Sequence, residues 1–151
     1  METARSNMVY VVSLGQGGVW GVDFKGVVKQ EHRYFFPTEG RYPKVPPNYI
    51  AFRYDGKLQS IHHVKSYEVF DNPRHAFKHA NTSKCPPHYL LKLGPAMHPP
   101  QDVKTGSKIR MAMRVWCMLD LLFTSKTITE ARDETHRRLG GEASDVGDDD
   151  E

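Results

Sequence analysis

A β-hairpin signature near the middle of the chain restricts the possible folds more than any other feature. Residues 49–54 are rich in aromatic and branched side chains and run into Asp55-Gly56, after which residues 58–70 form a second β-rich segment. Asp-Gly is a preferred pair for a two-residue type I′ turn, because both central residues need positive φ. Apolar alternation in residues 58–70 breaks near His62-His63, which predicts a bulge there. The pattern predicts an antiparallel hairpin with a long second strand.

Shorter segments on either side of the hairpin also have the composition of strands. Their branched and aromatic content is typical of buried or half-buried β-structure. The glycine-rich residues 15–21 between two of these segments predict a loop. We therefore expect strands over residues 7–14, 22–28, 33–36 and 89–93, and a strand from 109 to about 117 that turns into a short helical segment.

The clearest helix signal lies near the end of the chain. Thr127-Ile-Thr-Glu130 has the pattern of a capping box, in which Thr127 is the N-cap and Glu130 reaches back to its amide. Gly140 is placed to end the helix. Strands first and one terminal helix favour an α+β fold or a small barrel.

Charge is distributed unevenly along the chain. The formal net charge is +3, but residues 141–151 hold six of the 18 acidic residues and no basic one. The first 140 residues therefore carry 21 basic against 12 acidic residues, a net charge of +9. We predict one basic domain over residues 1–140, a length suited to a single core, and a disordered acidic tail over residues 141–151. A basic domain favours a polyanionic partner, with nucleic acid the first candidate.

Several classes of protein are disfavoured by the composition. Two cysteines, Cys85 and Cys117, cannot supply the disulfide framework of a cysteine-rich secreted domain. No apolar run approaches the ~20 residues that a membrane-spanning helix needs, and the first residues lack the apolar segment of a signal peptide. The expectation is a cytoplasmic protein with no membrane association.

Residue patterns that would carry metal or catalytic chemistry are sparse. His75, His79, Cys85 and His88 have the most ligand-like spacing in the chain, and imidazole and thiolate are donors that zinc prefers. Two prolines separate Cys85 from His88, and no second thiolate is nearby, so we expect no metal and no other cofactor. No serine or carboxylate has an evident activating partner in the sequence, and no catalytic residue is predicted.

Basic and aromatic residues, in contrast, are interleaved repeatedly. Examples are Arg33-Tyr34-Phe35-Phe36, Arg41-Tyr42-Pro43-Lys44 and Arg53-Tyr54. Cations neutralise phosphates while rings stack on bases, so this pattern is typical of proteins that bind nucleic acid. Trp20 and Tyr42 lie in predicted loops, where a large ring is not required for packing and is free to serve binding.

Two stretches together resemble the PUA-like superfamily of small β-barrels, in particular the EVE and ASCH types found among prokaryotic defence and restriction proteins. Residues 41–69 are similar to the basic loop, the strand with Tyr49-Ile-Ala-Phe52, the turn and the long strand of that family. Residues 114–131 are similar to its closing strand, leucine-containing turn and terminal helix. The two stretches cover about a third of the chain.

The resemblance implies a small, mostly antiparallel PUA-like β-barrel with a C-terminal helix. It also implies a concave pocket that accepts a nucleotide of DNA or RNA, with a modified base read by a non-catalytic module that acts with a partner nuclease or helicase. Two alternatives remain open: a small hydrolase acting on a modified nucleoside, and a protein-interaction adaptor. The positions that correspond to the pocket are Trp20, Arg41, Tyr42, Lys44, Tyr54, His62 and Lys65.

Overall fold

The computed structural model describes residues 7–110 and 113–140, so the predicted acidic tail lies outside the described residues. In the described part of the chain, two helices lie among the strands and two more follow the last strand. The elements in chain order are β1 (Met8–Ser13), β2 (Gly18–Val19), β3 (Val22–Asp23), α1 (Phe24–Glu31), β4 (Arg33–Pro37), β5 (Tyr49–Tyr54), β6 (Lys57–Phe70), α2 (Pro73–Ala76), β7 (His88–Leu93), β8 (Val115–Met118), α3 (Leu119–Thr124) and α4 (Ile128–Leu139).

Six of these strands form one sheet in the order β4-β7-β6-β5-β1-β8. All neighbouring pairs are antiparallel except β1 and β5, which are parallel. The prediction of a mostly antiparallel sheet combined with helices is therefore confirmed. The predicted closed barrel is not found among the described residues, because the edge strands β4 and β8 each pair with one neighbour and not with each other.

The sheet curls strongly even though it does not close. The 14-residue strand β6 pairs with β5 through its first half and with β7 through its second half, and its register shifts between Val64 and Ser66. A bulge bends a strand and increases its twist. The curl brings the β1 side chain of Tyr10 within 6.2 Å of the Phe36 ring on β4, although the two strands are four places apart in the sheet.

The central hairpin forms as predicted. Strands β5 and β6 are joined by Asp55 and Gly56, whose φ angles of 54° and 77° are those of the left-handed region. His62 is buried and His63 is exposed, as the alternation of a strand requires. The predicted bulge near these histidines lies two residues further along, between Val64 and Ser66.

The prediction of a strand over residues 22–28 is wrong for most of its length. Only Val22 and Asp23 are in a strand, and helix α1 follows at once. The Asp23 side chain caps the helix by accepting a hydrogen bond from the Gly26 amide at 2.8 Å. The helix buries the side chains of Val27 and Val28. The free energy gained by burying them outweighs their weak preference for strands.

The C-terminal elements follow the prediction with two corrections. The last strand begins at Val115 rather than at residue 109, since Ile109, Arg110 and Met113 are in no strand. A strand is followed by the short helix α3, and then α4 begins after Thr127, whose side chain accepts a hydrogen bond from the Glu130 amide at 3.0 Å. The Glu130 carboxylate accepts from the amide of Lys126 at 3.2 Å rather than from that of Thr127. Gly140 ends the helix with a φ of 59°. None of the helices in the described residues is long and apolar enough to cross a membrane.

Candidate functional site

A cavity of about 410 Å³ lies where the end of β1, the β2–β3 hairpin and the edge strand β4 meet. The curl of the sheet creates this cavity, because it brings the end of β1 to the opposite edge strand. Polar groups enter its lining from Ser13, Gln16 and His88. The rest of the lining is mainly aromatic, and we call the whole cavity the aromatic cavity. Besides the His88 imidazole, the aromatic side chains that line it are Trp20, Phe24, Tyr34, Phe35, Phe36 and Tyr42.

Trp20 reaches the aromatic cavity from the tip of the β2–β3 hairpin. Its ring stacks on Phe35 with centroids 5.3 Å apart and planes 24° apart. The edge-on ring of His88 lies 5.0 Å away. The hairpin turn consists of Trp20 and Gly21, both with positive φ. The short hairpin therefore fixes the indole at the wall of the cavity.

Tyr42 enters the same cavity from the long loop between β4 and β5. Its ring stacks on Phe36 with centroids 5.8 Å apart and planes 14° apart. The guanidinium carbon of Arg114 lies over the Tyr42 ring at 4.2 Å from its centroid, and the Arg114 residue is only 3% exposed. A buried cation beside an aromatic ring is held by a cation–π interaction, and it also makes this side of the cavity electropositive.

His88 supplies an imidazole to the aromatic cavity. Its Nδ1 donates to the carbonyl oxygen of Pro86 at 2.6 Å, and its ring lies nearly parallel to Phe70, with an interplanar angle of 21°. With Nδ1 protonated, the Nε2 of a neutral imidazole is an acceptor. Ser13 and Gln16 add a hydroxyl and an amide to the lining. The cavity thus combines flat apolar walls with a few groups that can bind the polar edge of a ligand.

A second cavity of about 330 Å³ contains two other predicted residues, Tyr54 and His62. Helix α1 contributes to both cavities, Phe24 to the aromatic cavity and Lys29 to the second one. The ammonium groups of Lys25 and Lys29 lie 4.2 and 5.1 Å from the centroid of the Tyr54 ring. A hydrogen bond with Tyr54 raises the pKa of the Lys29 ammonium. This second cavity is therefore bordered by fixed positive charge.

His62 forms the buried wall of the second cavity. Its Nδ1 donates to the carbonyl oxygen of Gly94 at 3.0 Å, and its Nε2 lies 2.9 Å from the hydroxyl oxygen of Ser60. Burial lowers the pKa of the imidazole, and the positive charges of His32 and His98 lower it further, against the opposing effect of the hydrogen bond to Gly94. The ring is consequently a neutral acceptor at Nε2.

Five of the seven predicted positions are divided among three cavities or depressions. Trp20 and Tyr42 come together in the aromatic cavity, and Tyr54 and His62 come together in the second cavity. Lys65 lines a separate surface depression with His32 and Lys92.

The two remaining positions, Arg41 and Lys44, are exposed on the loop that carries Tyr42. The Lys44 ammonium donates to the carbonyl oxygen of Gly40 at 3.0 Å. The loop therefore presents two cations close in sequence to an aromatic residue of the cavity.

Several lining residues were not among the predicted positions. The rings of Tyr34, Phe35 and Phe36 come from the Arg33-Tyr34-Phe35-Phe36 run, whose interleaved pattern already indicated nucleic-acid binding. His88 had a signal only as part of the candidate zinc motif. The contribution of Ser13 and Gln16 has no sequence signal, because it depends on where β1 ends relative to β4.

The candidate zinc motif does not assemble. His88 packs among Trp20, Phe35 and Phe70, whereas the Nε2 of His75 lies 3.4 Å from the amide nitrogen of Asn72. Within residues 7–110 and 113–140, no group of three or more histidine, cysteine or acidic side chains is placed to hold a metal ion.

Comparison with known proteins leaves the family open: no family model, no curated protein and no solved structure matches the chain.

Proposed function

We propose that the protein is a non-catalytic nucleic-acid-binding module that holds one unstacked base, modified or not, in the aromatic cavity. The observation that carries the proposal is the pair of rings, Trp20 and Tyr42, that line a cavity of about 410 Å³ from two different loops. This volume is within the roughly 300–1,000 Å³ range of small-ligand sites. Enzymes and readers of single bases take the base out of its stack and place it between aromatic side chains.

Charge supports the same proposal. The first 140 residues carry a net charge of +9, and the loop that holds Tyr42 also presents the exposed Arg41 and Lys44. A base cannot enter a cavity unless the adjoining phosphates are accommodated at its rim. Cations on the loop beside the cavity serve that purpose, because phosphate contacts position a nucleic acid while base contacts specify it.

The lining of the aromatic cavity favours binding over turnover. None of its described lining residues carries a carboxylate, and the hydrogen bond of its imidazole, His88, is to the backbone rather than to a nucleophilic side chain. General acid–base catalysis needs a proton-transfer group within reach of the reacting atom. Ser13, Gln16 and His88 are suited instead to hydrogen bonds with a base edge. On this proposal a partner nuclease or helicase performs the reaction.

Membership of the PUA-like superfamily, with an open curled sheet rather than a closed barrel, is also part of this proposal. The mostly antiparallel sheet, its curl and the helix after the last strand support it. A cavity between the ends of curled strands is the usual place for a ligand in such folds.

Fluorescence of a single tryptophan tests the proposal. The chain has two tryptophans, so a Trp116→Phe background leaves Trp20 as the reporter. We expect single-stranded oligonucleotides to quench its emission, because a base would contact the indole in the cavity. A panel carrying unmodified and modified bases, in DNA and in RNA, then ranks the ligands by dissociation constant.

Substitutions in the cavity supply the quantitative part of the test. Base–aromatic stacking contributes about 1–3 kcal/mol per base, so Trp20→Ala and Tyr42→Ala should each weaken binding about 5- to 150-fold in an anisotropy titration. Tyr67→Ala is the matched control, since Tyr67 is a half-buried tyrosine outside the aromatic cavity. Equal effects of Tyr42→Ala and Tyr67→Ala would contradict base binding in the cavity. No binding at low salt would favour the adaptor alternative, and turnover of a modified nucleoside would favour the hydrolase alternative.

A further inference from the structure

A serine and a histidine form a hydrogen-bonded pair in the second cavity, away from the proposed base-binding site. Ser60 and His62 are two residues apart on β6, so their side chains lie on the same face of the strand. The Ser60 hydroxyl oxygen is 2.9 Å from Nε2 of His62. Both residues line the cavity, and Ser60 is half-buried rather than sealed in the core.

The tautomer of His62 is fixed by the backbone. Nδ1 lies 3.0 Å from the carbonyl oxygen of Gly94, which can only accept, so Nδ1 carries the proton. Nε2 is then unprotonated and accepts the proton of the Ser60 hydroxyl. Gly94 is held in turn, because its own amide donates to the carbonyl oxygen of His63 at 2.8 Å. The Ser60 hydroxyl, the His62 imidazole and the Gly94 carbonyl therefore form a hydrogen-bonded series of nucleophile, general base and orienting group.

Burial helps to keep the imidazole in its basic form. The pKa of His62 is lowered chiefly by desolvation, so the ring is neutral over the physiological range and able to take a proton. This electrostatic effect adds to the geometry, which by itself places the lone pair of Nε2 on the serine hydroxyl.

One ammonium group and two further imidazoles border the same space. Lys29, His32 and His98 all line the cavity, and the Lys29 ammonium is held over the ring of Tyr54. Cations and N–H groups fixed around a cavity stabilise the negative charge that develops on a carbonyl oxygen when a nucleophile attacks it. The cavity thus has a cation at its border beside the serine–histidine pair.

We propose that Ser60 is a nucleophile activated by His62, and that the second cavity accepts the acyl group of a small carboxylic ester. The Ser60 oxygen bonds to the ester carbonyl carbon while its proton passes to Nε2 of His62. The tetrahedral intermediate collapses, the C–O bond to the leaving alcohol breaks, and Nε2 returns the proton to that alcohol. Water, with its proton passing through the same nitrogen, then attacks the acyl-serine to release the carboxylic acid and regenerate both residues.

This activity is independent of base binding, because the two cavities share α1 but no lining residue among those described. Loss of one function would leave the other measurable. The chemistry also differs from the hydrolase alternative in the aromatic cavity, since it uses Ser60 and a carbonyl carbon rather than a base held by Trp20 and Tyr42.

A fluorophosphonate probe tests the proposal on the full-length protein. The Ser60 oxygen displaces fluoride from phosphorus, and the serine proton is taken up by His62 and then by solvent. We expect one adduct per chain by intact-protein mass spectrometry, mapped to Ser60 in the peptide digest and absent from Ser60→Ala. Ser66→Ala is the matched control, because Ser66 is a half-buried serine on the same strand, and it should be labelled like the parent protein.

The rate of labelling by the fluorophosphonate probe tests the role of His62. A positioned general base contributes roughly 10²- to 10⁴-fold, so His62→Gln should slow labelling by at least 100-fold while circular dichroism shows the parent's secondary structure. The parent should also hydrolyse p-nitrophenyl acetate. The fraction of this activity that is lost should match the fraction of chains that carry the probe. The p-nitrophenyl acetate measurement tests the proposal even if His62→Gln does not fold.

Three outcomes would overturn the proposal: no adduct on the folded parent protein, an adduct on a serine other than Ser60, or labelling of folded His62→Gln at the parent's rate. Labelling is measured without any oligonucleotide present, which separates this result from any result on base binding.

Discussion

Trp20 adopts a backbone conformation that few residues other than glycine adopt. Its φ of 58° is in the left-handed region, which costs a residue with a Cβ roughly 1–2 kcal/mol. Asparagine or glycine would fill the turn with less strain. The indole is kept there by its contacts with Phe35, Phe70 and His88. Strain of this kind concentrates at functional sites, and here it places a large flat ring on the wall of the aromatic cavity.

Burial changes the protonation of His62. Because its pKa in the folded protein lies below the ordinary value of 6.5, the folded state binds fewer protons than the unfolded state as the solution becomes acidic. The stability that depends on neutral His62 is complete above pH 6.5 and decreases as the pH falls from there through the lowered pKa of the folded state.

We therefore predict that the free energy of unfolding decreases on acidification below pH 6.5. Urea denaturation at a series of pH values measures it. In His62→Gln this part of the pH dependence should disappear, because glutamine does not titrate. His63→Gln is the control, since His63 is the exposed neighbour on the opposite face of β6, and it should retain the parent's slope. A parent-like slope in His62→Gln would show that other groups cause the pH dependence.

At the scale of elements, short sequence motifs predict an element correctly where that element is stabilised by residues within the motif. The β5–β6 hairpin depends on two turn residues with positive φ, and Asp55-Gly56 supplies them. Helix α4 depends on a cap and a terminating glycine, and Thr127 and Gly140 supply those. Both elements were predicted because their determinants are adjacent in the sequence.

Helix α1 shows the opposite case. Its sequence, FKGVVKQE, contains a glycine and two adjacent valines, which favour a strand or a turn. The helix forms because Asp23 caps it and because Val27 and Val28 are buried on packing against the sheet. Burying a valine contributes roughly 1.5–3 kcal/mol, more than the difference in helix propensity. That burial exists only in the folded molecule.

The cap of α4 gives a prediction at this scale. Thr127→Ala removes the acceptor of the Glu130 amide proton, so we expect the free energy of unfolding to fall by about 1 kcal/mol. Thr127→Ser keeps a hydroxyl at the N-cap and should remain close to the parent. Chemical denaturation of the three proteins measures the differences. Equal stability of the alanine and serine variants would mean that the side-chain cap contributes nothing to α4.

At the scale of the whole molecule, two properties bear on the proposed binding of nucleic acid: the curl of the sheet and the distribution of charge. Register shifts between Phe52 and Arg53 and between Val64 and Ser66 bend the sheet. The bend packs β1 residues such as Tyr10 and Val12 against Phe36 and Leu91 from the far edge of the sheet. The aromatic cavity is a consequence of this long-range packing.

The acidic residues 141–151 lead to a prediction about binding strength. Without them the net charge rises from +3 to +9, so a chain ending at residue 140 should bind single-stranded nucleic acid more tightly at low salt. Anisotropy titrations at several salt concentrations measure this, and the logarithm of the binding constant should fall linearly with the logarithm of the salt concentration. Replacing the acidic residues of this segment with their amides is the control for length. Equal affinities at low salt would mean that the segment does not compete with the nucleic acid.

The sequence by itself determined the features whose causes are local or additive. These are the central hairpin, the capped C-terminal helix, the predominance of antiparallel strands, and the basic character of the first 140 residues. For the candidate site, two of the predicted positions, Trp20 and Tyr42, line one cavity, and the run from Arg33 to Phe36 supplies three more of its rings.

The tertiary structure alone decided how those residues are grouped. Of seven positions expected in one pocket, five are divided among three depressions and two lie exposed on a loop, and the candidate zinc ligand His88 lies in the aromatic cavity instead. The Ser60–His62 pair, too, depends on the carbonyl of Gly94, a residue 32 positions further along the chain, to fix the imidazole. Bends in a sheet and burial against distant strands set these distances, and neither is encoded in the spacing of neighbouring residues.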